Sequence, residues 1–167
     1  MTRLIPIAAL GVACLASAAL ADLDVRFVEG APTDRFSITN ASGCALGPME
    51  LQIDLSGSAA GLIFDTTERG MGVQVFQPFR LVEGAELVSG TPDVGDGDRS
   101  VTLSLTGMAP GQTVAFTIDV DDTAGAREIT VSGEEITGAR VSDDATGNSA
   151  AFDGTGRARL PLAPCLS

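Results

Sequence analysis

Carboxylates are the chemical groups that this sequence gathers most densely. A strand-like segment, Gln112–Asp122, ends in Asp119, Asp121 and Asp122, and Glu29 and Asp34 flank the first turn of the chain. Carboxylate oxygens collected from loops and strand ends are the ligands that calcium prefers. We therefore predict a calcium site that is centred on Asp119, Asp121 and Asp122, with Glu29 and Asp34 as further ligands.

Two more acidic groups lie in segments that are typical of loops. Asp93, Asp96 and Asp98 form one of them, and Asp143 and Asp144 form the other. None of the groups has the ligand order of an EF-hand loop. An alternative interpretation is a solvated acidic surface, because aspartate favours turns and keeps exported proteins soluble. Ligands from separate loops leave no fixed spacing in a sequence, so both interpretations remain open.

Residue types that most enzymes need are missing. The chain has no His, Tyr or Trp, so the commonest acid–base partners, a thiolate–imidazole pair and a Cys/His zinc site are excluded. Its serines show no nucleophile elbow. Paired carboxylates could hydrolyse a glycoside, but sugar sites normally use aromatic platforms, and only seven Phe are present. We expect a domain that is not an enzyme.

The amino terminus has the three regions of a secretory signal peptide. Arg3 is followed by the apolar run Leu4–Leu15 and by the small-residue site Ala19-Leu20-Ala21. We expect cleavage after Ala21, which leaves one secreted or periplasmic domain, residues 22–167. A retained anchor is the alternative, but the run is shorter than the roughly 20 residues that span a bilayer.

Export to an oxidising compartment determines what we expect of the cysteines and of the binding partners. Cys14 lies in the signal peptide, so we expect Cys44 and Cys165 to form a disulfide in an oxidising compartment, with two free thiols as the alternative. The net charge of −12 repels nucleic acid and anionic membrane surfaces, and it favours cationic partners or divalent metal. We expect a protein or a glycan at the cell surface as the partner.

The acidic residues must be positioned by short segments in which apolar and polar residues alternate. Such segments are typical of half-buried strands, and they are separated by Gly, Pro and Asp-rich turns. No amphipathic helical segment occurs outside the signal peptide, so the sequence predicts an all-β fold, a single antiparallel β-sandwich of immunoglobulin-like or jelly-roll type. The expected strands are Leu23–Val28, Asp34–Asn40, Met49–Ser56, Gly61–Asp65, Val73–Phe76, two fragments in Arg80–Val88, Arg99–Thr106, Gln112–Asp122, Arg127–Ser132, Ile136–Val141 and one or two in Ala150–Leu162.

Two local expectations follow from the alternation. Arg99–Thr106 and Gln112–Asp122 should pair in an antiparallel manner about the turn Ala109-Pro110-Gly111. Asp119 and Asp121 should share the solvent-facing side of their strand, because Val114, Phe116, Ile118 and Val120 alternate with them on the core side.

Several stretches resemble small exported bacterial proteins known as aggregation factor core proteins, a name taken from the adhesion proteoglycan of marine sponges. The resemblance rests on DLDVRFVEGAPTDRFSITN (Asp22–Asn40), IDLSGSAAGLIFD (Ile53–Asp65), VFQPF (Val75–Phe79) and FTIDVDDTAGAREITVSG (Phe116–Gly133). It implies a β-sandwich with a role in calcium-assisted adhesion or matrix association. We therefore expect an exported, calcium-stabilised interaction or adhesion domain, and the alternative is a carbohydrate-binding or accessory module of a secreted system.

Overall fold

The structure, a computed structural model, describes residues 22–67, 76–124, 131–163 and 165. The expected signal peptide, the expected strand Val73–Phe76 except its last residue, and most of the expected strand Arg127–Ser132 lie outside these ranges. Ten strands and one 3₁₀ turn, Ala85–Leu87, form within them. The strands are β1 Asp22–Val28, β2 Asp34–Asn40, β3 Met49–Asp54, β4 Ile63–Asp65, β5 Arg80–Glu83, β6 Ser100–Leu105, β7 Thr113–Asp121, β8 Arg140–Asp143, β9 Ser149–Ala151 and β10 Arg157–Pro161.

The strands form two antiparallel sheets, which confirms the all-β sandwich. One sheet has the order β10-β1-β2-β7-β4, with β5 also paired to β7, and the other has the order β6-β3-β8-β9. In the immunoglobulin arrangement strands A, B and E share one sheet and C, F and G share the other. Here β1-β2-β7 and β3-β8-β9 reproduce those neighbours, so the strand order favours the immunoglobulin-like alternative over the jelly roll.

Aromatic rings fill the centre of the sandwich. The ring centroid of Phe36 lies 5.1 Å from those of Phe27 and Phe116. It lies 6.5 Å from that of Phe64 and 6.3 Å from that of Phe152, in edge-to-face arrangements. All five side chains are buried. Four of the rings belong to the first sheet, and Phe152, which follows β9, meets them from the second sheet. Ring pairs at such distances add to the gain from apolar burial.

The expected hairpin between β6 and β7 is wrong. The turn forms where expected, with Gln112 N–H donating to Ala109 at 3.1 Å, but β6 pairs with β3 and β7 pairs with β2. The chain crosses between the sheets at buried Met108, whose backbone bonds in both directions to Leu46. Both strands have the same alternation and would fit either arrangement, so the pattern alone could not tell a hairpin from a crossover.

A second difference concerns the segment before β8. The expected strand Ile136–Val141 begins only at Arg140, and the preceding residues form turns. The Glu135 carboxylate accepts the backbone N–H of Ser132 at 2.6 Å and its hydroxyl at 2.8 Å, which stabilises a turn. Ile136 is nevertheless fully buried. Its apolar side chain packs on the core from a turn, so it does not indicate a strand.

The disulfide is confirmed. Cys44 and Cys165 are bonded across a sequence separation of 121 residues. The loop that carries Cys44 is also held by the buried Asn40, whose side chain donates to the Cys44 carbonyl at 2.8 Å and to the Met108 carbonyl at 3.0 Å. The bridge therefore joins a well-bonded loop near β2 to the end of the described chain.

None of the residues that the structure describes belongs to a helix long and apolar enough to cross a membrane.

Candidate functional site

The carboxyl-terminal half of β7 is buried on both faces. β7 pairs with β2 along one edge, and its other edge pairs first with β5 and then with β4. Asp119 and Asp121 share one face of the strand, as expected, but they are only 7 % and 4 % exposed. The expectation that this face is open to solvent is therefore wrong, and so is the solvated-surface interpretation for these two residues.

Asp65 is a member of this buried cluster that the sequence did not single out. It ends β4 and lies directly opposite Asp119 in the antiparallel register, so both side chains leave the sheet on the same face. Asp65 is 1 % exposed. Within the described part of the chain neither of its carboxylate oxygens has a hydrogen-bond partner, and neither does Oδ2 of Asp119. The one sequence signal was that a short apolar strand, GLIFD, ends in an acid.

A loop adds a further carboxyl beside Asp65. The backbone of this loop continues the sheet beyond β4, because Phe64 donates its N–H to Asp98 at 2.8 Å and accepts the N–H of Gly97 at 2.8 Å. This pairing brings Asp96 next to Asp65, close enough for the two carboxyl groups to interact. Members of two acidic groups that are separate in the sequence therefore meet at one edge of the sheet.

Burial and like charges perturb the carboxyl groups of this cluster. Burial raises the pKa of Asp65 to about 7, and the neighbouring carboxyls of Asp96 and Asp121 raise it as well. Burial, and then the charge of Asp121, raise the pKa of Asp119 to about 7. Both shifts are in the direction expected for carboxyl groups that are buried near other carboxyl groups.

Asp34 lies near the cluster but has a different role. Its Oδ1 accepts the N–H of Gly30 at 3.1 Å, and its Oδ2 accepts the buried N–H of Val120 at 3.0 Å. Since Asp34 pairs with Ile118, the continued register would place Pro32 opposite Val120, but β2 does not extend that far. The Asp34 carboxyl thus accepts the Val120 N–H in place of the backbone acceptor that a longer β2 would supply. Burial raises its pKa to about 8, although the two N–H donors act in the opposite direction.

The remaining predicted ligands occupy other positions. Glu29 is exposed and lines a shallow groove with Gly133 and Thr155, whereas Asp122 is buried just beyond the end of β7. Across the described ranges no three His, Cys, Asp or Glu side chains form a group that could hold a metal ion. The structure thus gathers Asp34, Asp119 and Asp121 at one end of the sandwich, and calcium binding stays a prediction.

The other acidic residues serve local structure. Asp98 accepts the N–H of Gly95 at 2.6 Å, and Asp93 is exposed in the same loop. Asp143 is buried, and its two oxygens accept the N–H of Ala145 at 3.1 Å and the hydroxyl of Thr146 at 2.7 Å. These bonds are typical of aspartates that stabilise turns.

The clefts of the molecule lie elsewhere. One, of about 760 Å³, opens beside the disulfide and is lined mainly by apolar groups. Two smaller ones, of about 270 and 290 Å³, lie near the β9–β10 connection. Neither Asp65 nor Asp119 lines any of these three clefts.

The seven Phe residues offer no exposed aromatic platform. Five are buried in the central cluster, and Phe76 and Phe79 are half-buried. Phe79 stacks on Phe116 with ring centroids 4.8 Å apart, so its ring packs against the core. These Phe side chains therefore do not favour the exposed aromatic surface that a glycan-binding module would need.

We compared the chain with protein-family models, with curated proteins and with solved structures, and none of the three comparisons found a match. The resemblance to aggregation factor core proteins therefore stays a prediction.

Proposed function

We propose that this chain is an exported, non-catalytic interaction or adhesion domain that acts in cell-surface or matrix association and is stabilised by calcium. Its signal-like leader and its long-range disulfide support export to an oxidising compartment. The burial of its perturbed carboxyls, away from the described clefts, supports binding over catalysis. The calcium part draws its support from the same buried carboxyls.

The observation that carries the interaction role is a row of uncharged polar side chains across the second sheet. Gln52 of β3 lies opposite Thr102 on one side and Ser142 on the other, and Ser142 lies opposite Ser149. All four are half-buried, and they face outward because the alternate residues of β3, β6 and β8 form the core. Hydroxyl and amide groups on a rigid sheet suit a wet interface with a protein or glycan.

The row itself contains no charged side chain, and Arg140 donates a hydrogen bond to the hydroxyl of Ser149 at its edge. The chain carries a net charge of −12, which opposes close approach of an acidic partner or a second copy. An uncharged strip avoids that repulsion at the contact itself, while the remaining carboxylates keep the domain soluble.

Association of coated beads tests the proposal. Beads that carry the mature domain should bind to cells of the producing organism, or to one another, more than uncoated beads do. Ser142→Arg, which places a long charged side chain in the polar row, should abolish that binding. Ser37→Arg is the matched control, because Ser37 is a half-buried serine on the outer face of the other sheet. Equal binding by coated and uncoated beads would refute the interaction role.

A further inference from the structure

We propose that the outer face of the first sheet binds an anionic polysaccharide, one that carries sulfate or carboxylate groups, along a stripe of arginines. The arginine stripe consists of Arg157 on β10, Arg26 on β1, Arg35 on β2 and Arg80 on β5. It lies on the opposite sheet from the polar row, so the proposal goes beyond the interaction role proposed above and does not depend on it.

The strand register places the four side chains on one face of the sheet. Arg157 lies directly opposite Arg26, and Arg26 and Arg35 are diagonal neighbours on β1 and β2. Arg35 and Arg80 both lie opposite Thr117 of β7. Directly paired residues leave a sheet on the same side, and residues that alternate with these form the core, so the stripe faces outward. At roughly 4.8 Å per strand it extends over about 19 Å.

The stripe carries positive charge that the described part of the chain does not neutralise. Arg26 and Arg80 are exposed, and neither forms an ion pair with another described residue. Arg35 and Arg157 each have one carboxylate partner, yet their side chains are 41 % and 50 % exposed. Because a guanidinium group has five N–H donors, all four side chains retain donors for an incoming anion.

This face differs in charge from the rest of the chain. The whole sequence has 10 basic residues, all of them arginine, and 22 acidic ones. The outer face of β10, β1, β2, β7 and β5 carries the arginine stripe and Arg159, and their acidic neighbours there are Asp22, Asp24 and Glu83. Two further acids of β7, Asp119 and Asp121, are buried. An anion therefore meets less repulsion on this face than the net charge of −12 implies.

Hydroxyl side chains lie beside the arginines. Ser37, Thr39, Thr113 and Thr117 are half-buried on the outer face of β2 and β7, where Thr39 and Thr113 also bond to each other at 2.9 Å. Guanidinium groups form strong, directional bonds with oxyanions, and hydroxyl groups both donate to and accept from other hydroxyls. A polymer that combines acidic groups with sugar hydroxyls matches this set of donors, and it needs no aromatic platform.

The linear arrangement favours a polymer over a small anion. Arg26 and Arg157 line two different clefts, and neither Arg35 nor Arg80 lines a cleft described above. The four charges therefore do not converge on one point, and a ligand that contacts all of them must be extended.

A nucleic acid fits this face less well than a polysaccharide. Single strands gain much of their affinity by stacking on aromatic side chains, but the exposed large apolar side chains in the described ranges are Val28 and Val82. A duplex carries a dense line of phosphates, which the net charge of −12 repels over a longer range than the stripe attracts.

Titration with defined polysaccharides tests the site. The mature domain, residues 22–167, is titrated calorimetrically with three probes: heparin oligosaccharides, which carry sulfate and carboxylate, polygalacturonate oligosaccharides, which carry carboxylate alone, and neutral dextran. We expect binding of one or both anionic probes at about 50 mM salt and a loss of at least about tenfold in affinity at about 0.5 M salt, because salt screens exposed charges. Dextran should not bind. The two anionic probes distinguish sulfate from carboxylate recognition.

Two double variants locate the binding surface. Arg26→Ala with Arg80→Ala removes the two arginines without ion pairs and should weaken binding by about tenfold. Arg99→Ala with Arg140→Ala is the matched control, because it removes two exposed arginines beside the second sheet and changes the net charge equally. It should bind as the wild type does. Ser37→Arg adds a cation to the stripe and should strengthen binding by about threefold, a gain that no folding defect would produce.

Three results would overturn the proposal: no binding of either anionic probe by the wild type, an equal loss of binding in the two double variants, or binding of a DNA duplex as tight as that of the glycans. The bead experiment fails independently. Bead association by a domain that binds no anionic glycan preserves the interaction role and removes the glycan site, whereas glycan binding without bead association does the reverse.

Discussion

Two buried aspartates near the end of β7 should respond in opposite directions to the same chemical change. In metal-free protein, Asp34→Asn should destabilise the fold and Asp65→Asn should stabilise it. The reason lies in their partners. Asp34 accepts two backbone N–H groups, at 3.1 and 3.0 Å, whereas neither oxygen of Asp65 has a partner in the described part of the chain.

The magnitudes follow from those contacts. The asparagine at position 34 keeps one oxygen acceptor but turns an NH₂ group toward the second donor, so the N–H of Val120 or of Gly30 loses its acceptor. An unmet hydrogen bond at a buried group costs about 1–3 kcal/mol, and we expect a loss of about 2 kcal/mol. Above about pH 7, where Asp65 is ionised, removing its unpartnered charge should gain on the order of 1 kcal/mol. For a domain of this size these values correspond to roughly 6 °C down and roughly 3 °C up in melting temperature.

Urea unfolding of both variants in EDTA, monitored by circular dichroism, measures the two free energies, and thermal scans give an independent check. A destabilisation by Asp65→Asn would show that its oxygens have partners, and a neutral Asp34→Asn would show that the Val120 N–H does not depend on it. Either result would refute the assignment of one aspartate as a backbone cap and the other as an unsatisfied carboxylate.

Two further predictions concern the core and the disulfide. Phe36→Ala should lower the free energy of unfolding in urea by about 3–5 kcal/mol, because Phe36 contacts four other rings. Val82→Ala, at a position that is 47 % exposed, should change it by less than about 0.5 kcal/mol. Equal effects of the two substitutions would contradict the central role of the ring cluster. Cys44→Ala combined with Cys165→Ala should lower the unfolding free energy by up to about 5 kcal/mol in the chain-entropy model, given the separation of 121 residues. Reduction of the wild type should reproduce that loss, and a loss below about 1 kcal/mol would show that the bridge adds little to the bonds that Asn40 makes.

Much of the fold could be predicted from the sequence because its signals are local. Alternation located β1, β2, β3 and β7 to within about two residues, since one buried face per strand leaves a period of two in the chain. The observed strand boundaries differ from the predicted ones where a local interaction favours a turn. Glu135 bonds back to Ser132 and delays β8, and Gly84, with φ of 65°, ends the strand at β5 and starts a 3₁₀ turn.

The candidate site was predicted only in part. The acids of Gln112–Asp122 were recognised as a potential site, and their shared face is confirmed for Asp119 and Asp121. Their burial was not foreseen, because a strand that alternates apolar and acidic residues normally has one solvated face. Here β4, β5 and the chain around Gln77, which accepts the N–H of Asp119 at 3.2 Å, lie along that strand.

The sequence by itself determined the class of this protein: an all-β domain with no His, Tyr or Trp and with an excess of acid. Those properties depend on composition and on contacts between near neighbours. Only the tertiary structure decided which acids matter and how. Asp65 and Asp119 are distant in the chain, and they lie opposite each other because β4 pairs with β7 in one particular register. Asp34 became a backbone cap because β2 stops short of Val120. Register and strand ends arise from the packing of whole sheets, so no local pattern could have told the backbone cap Asp34 from the unpartnered carboxylate of Asp65.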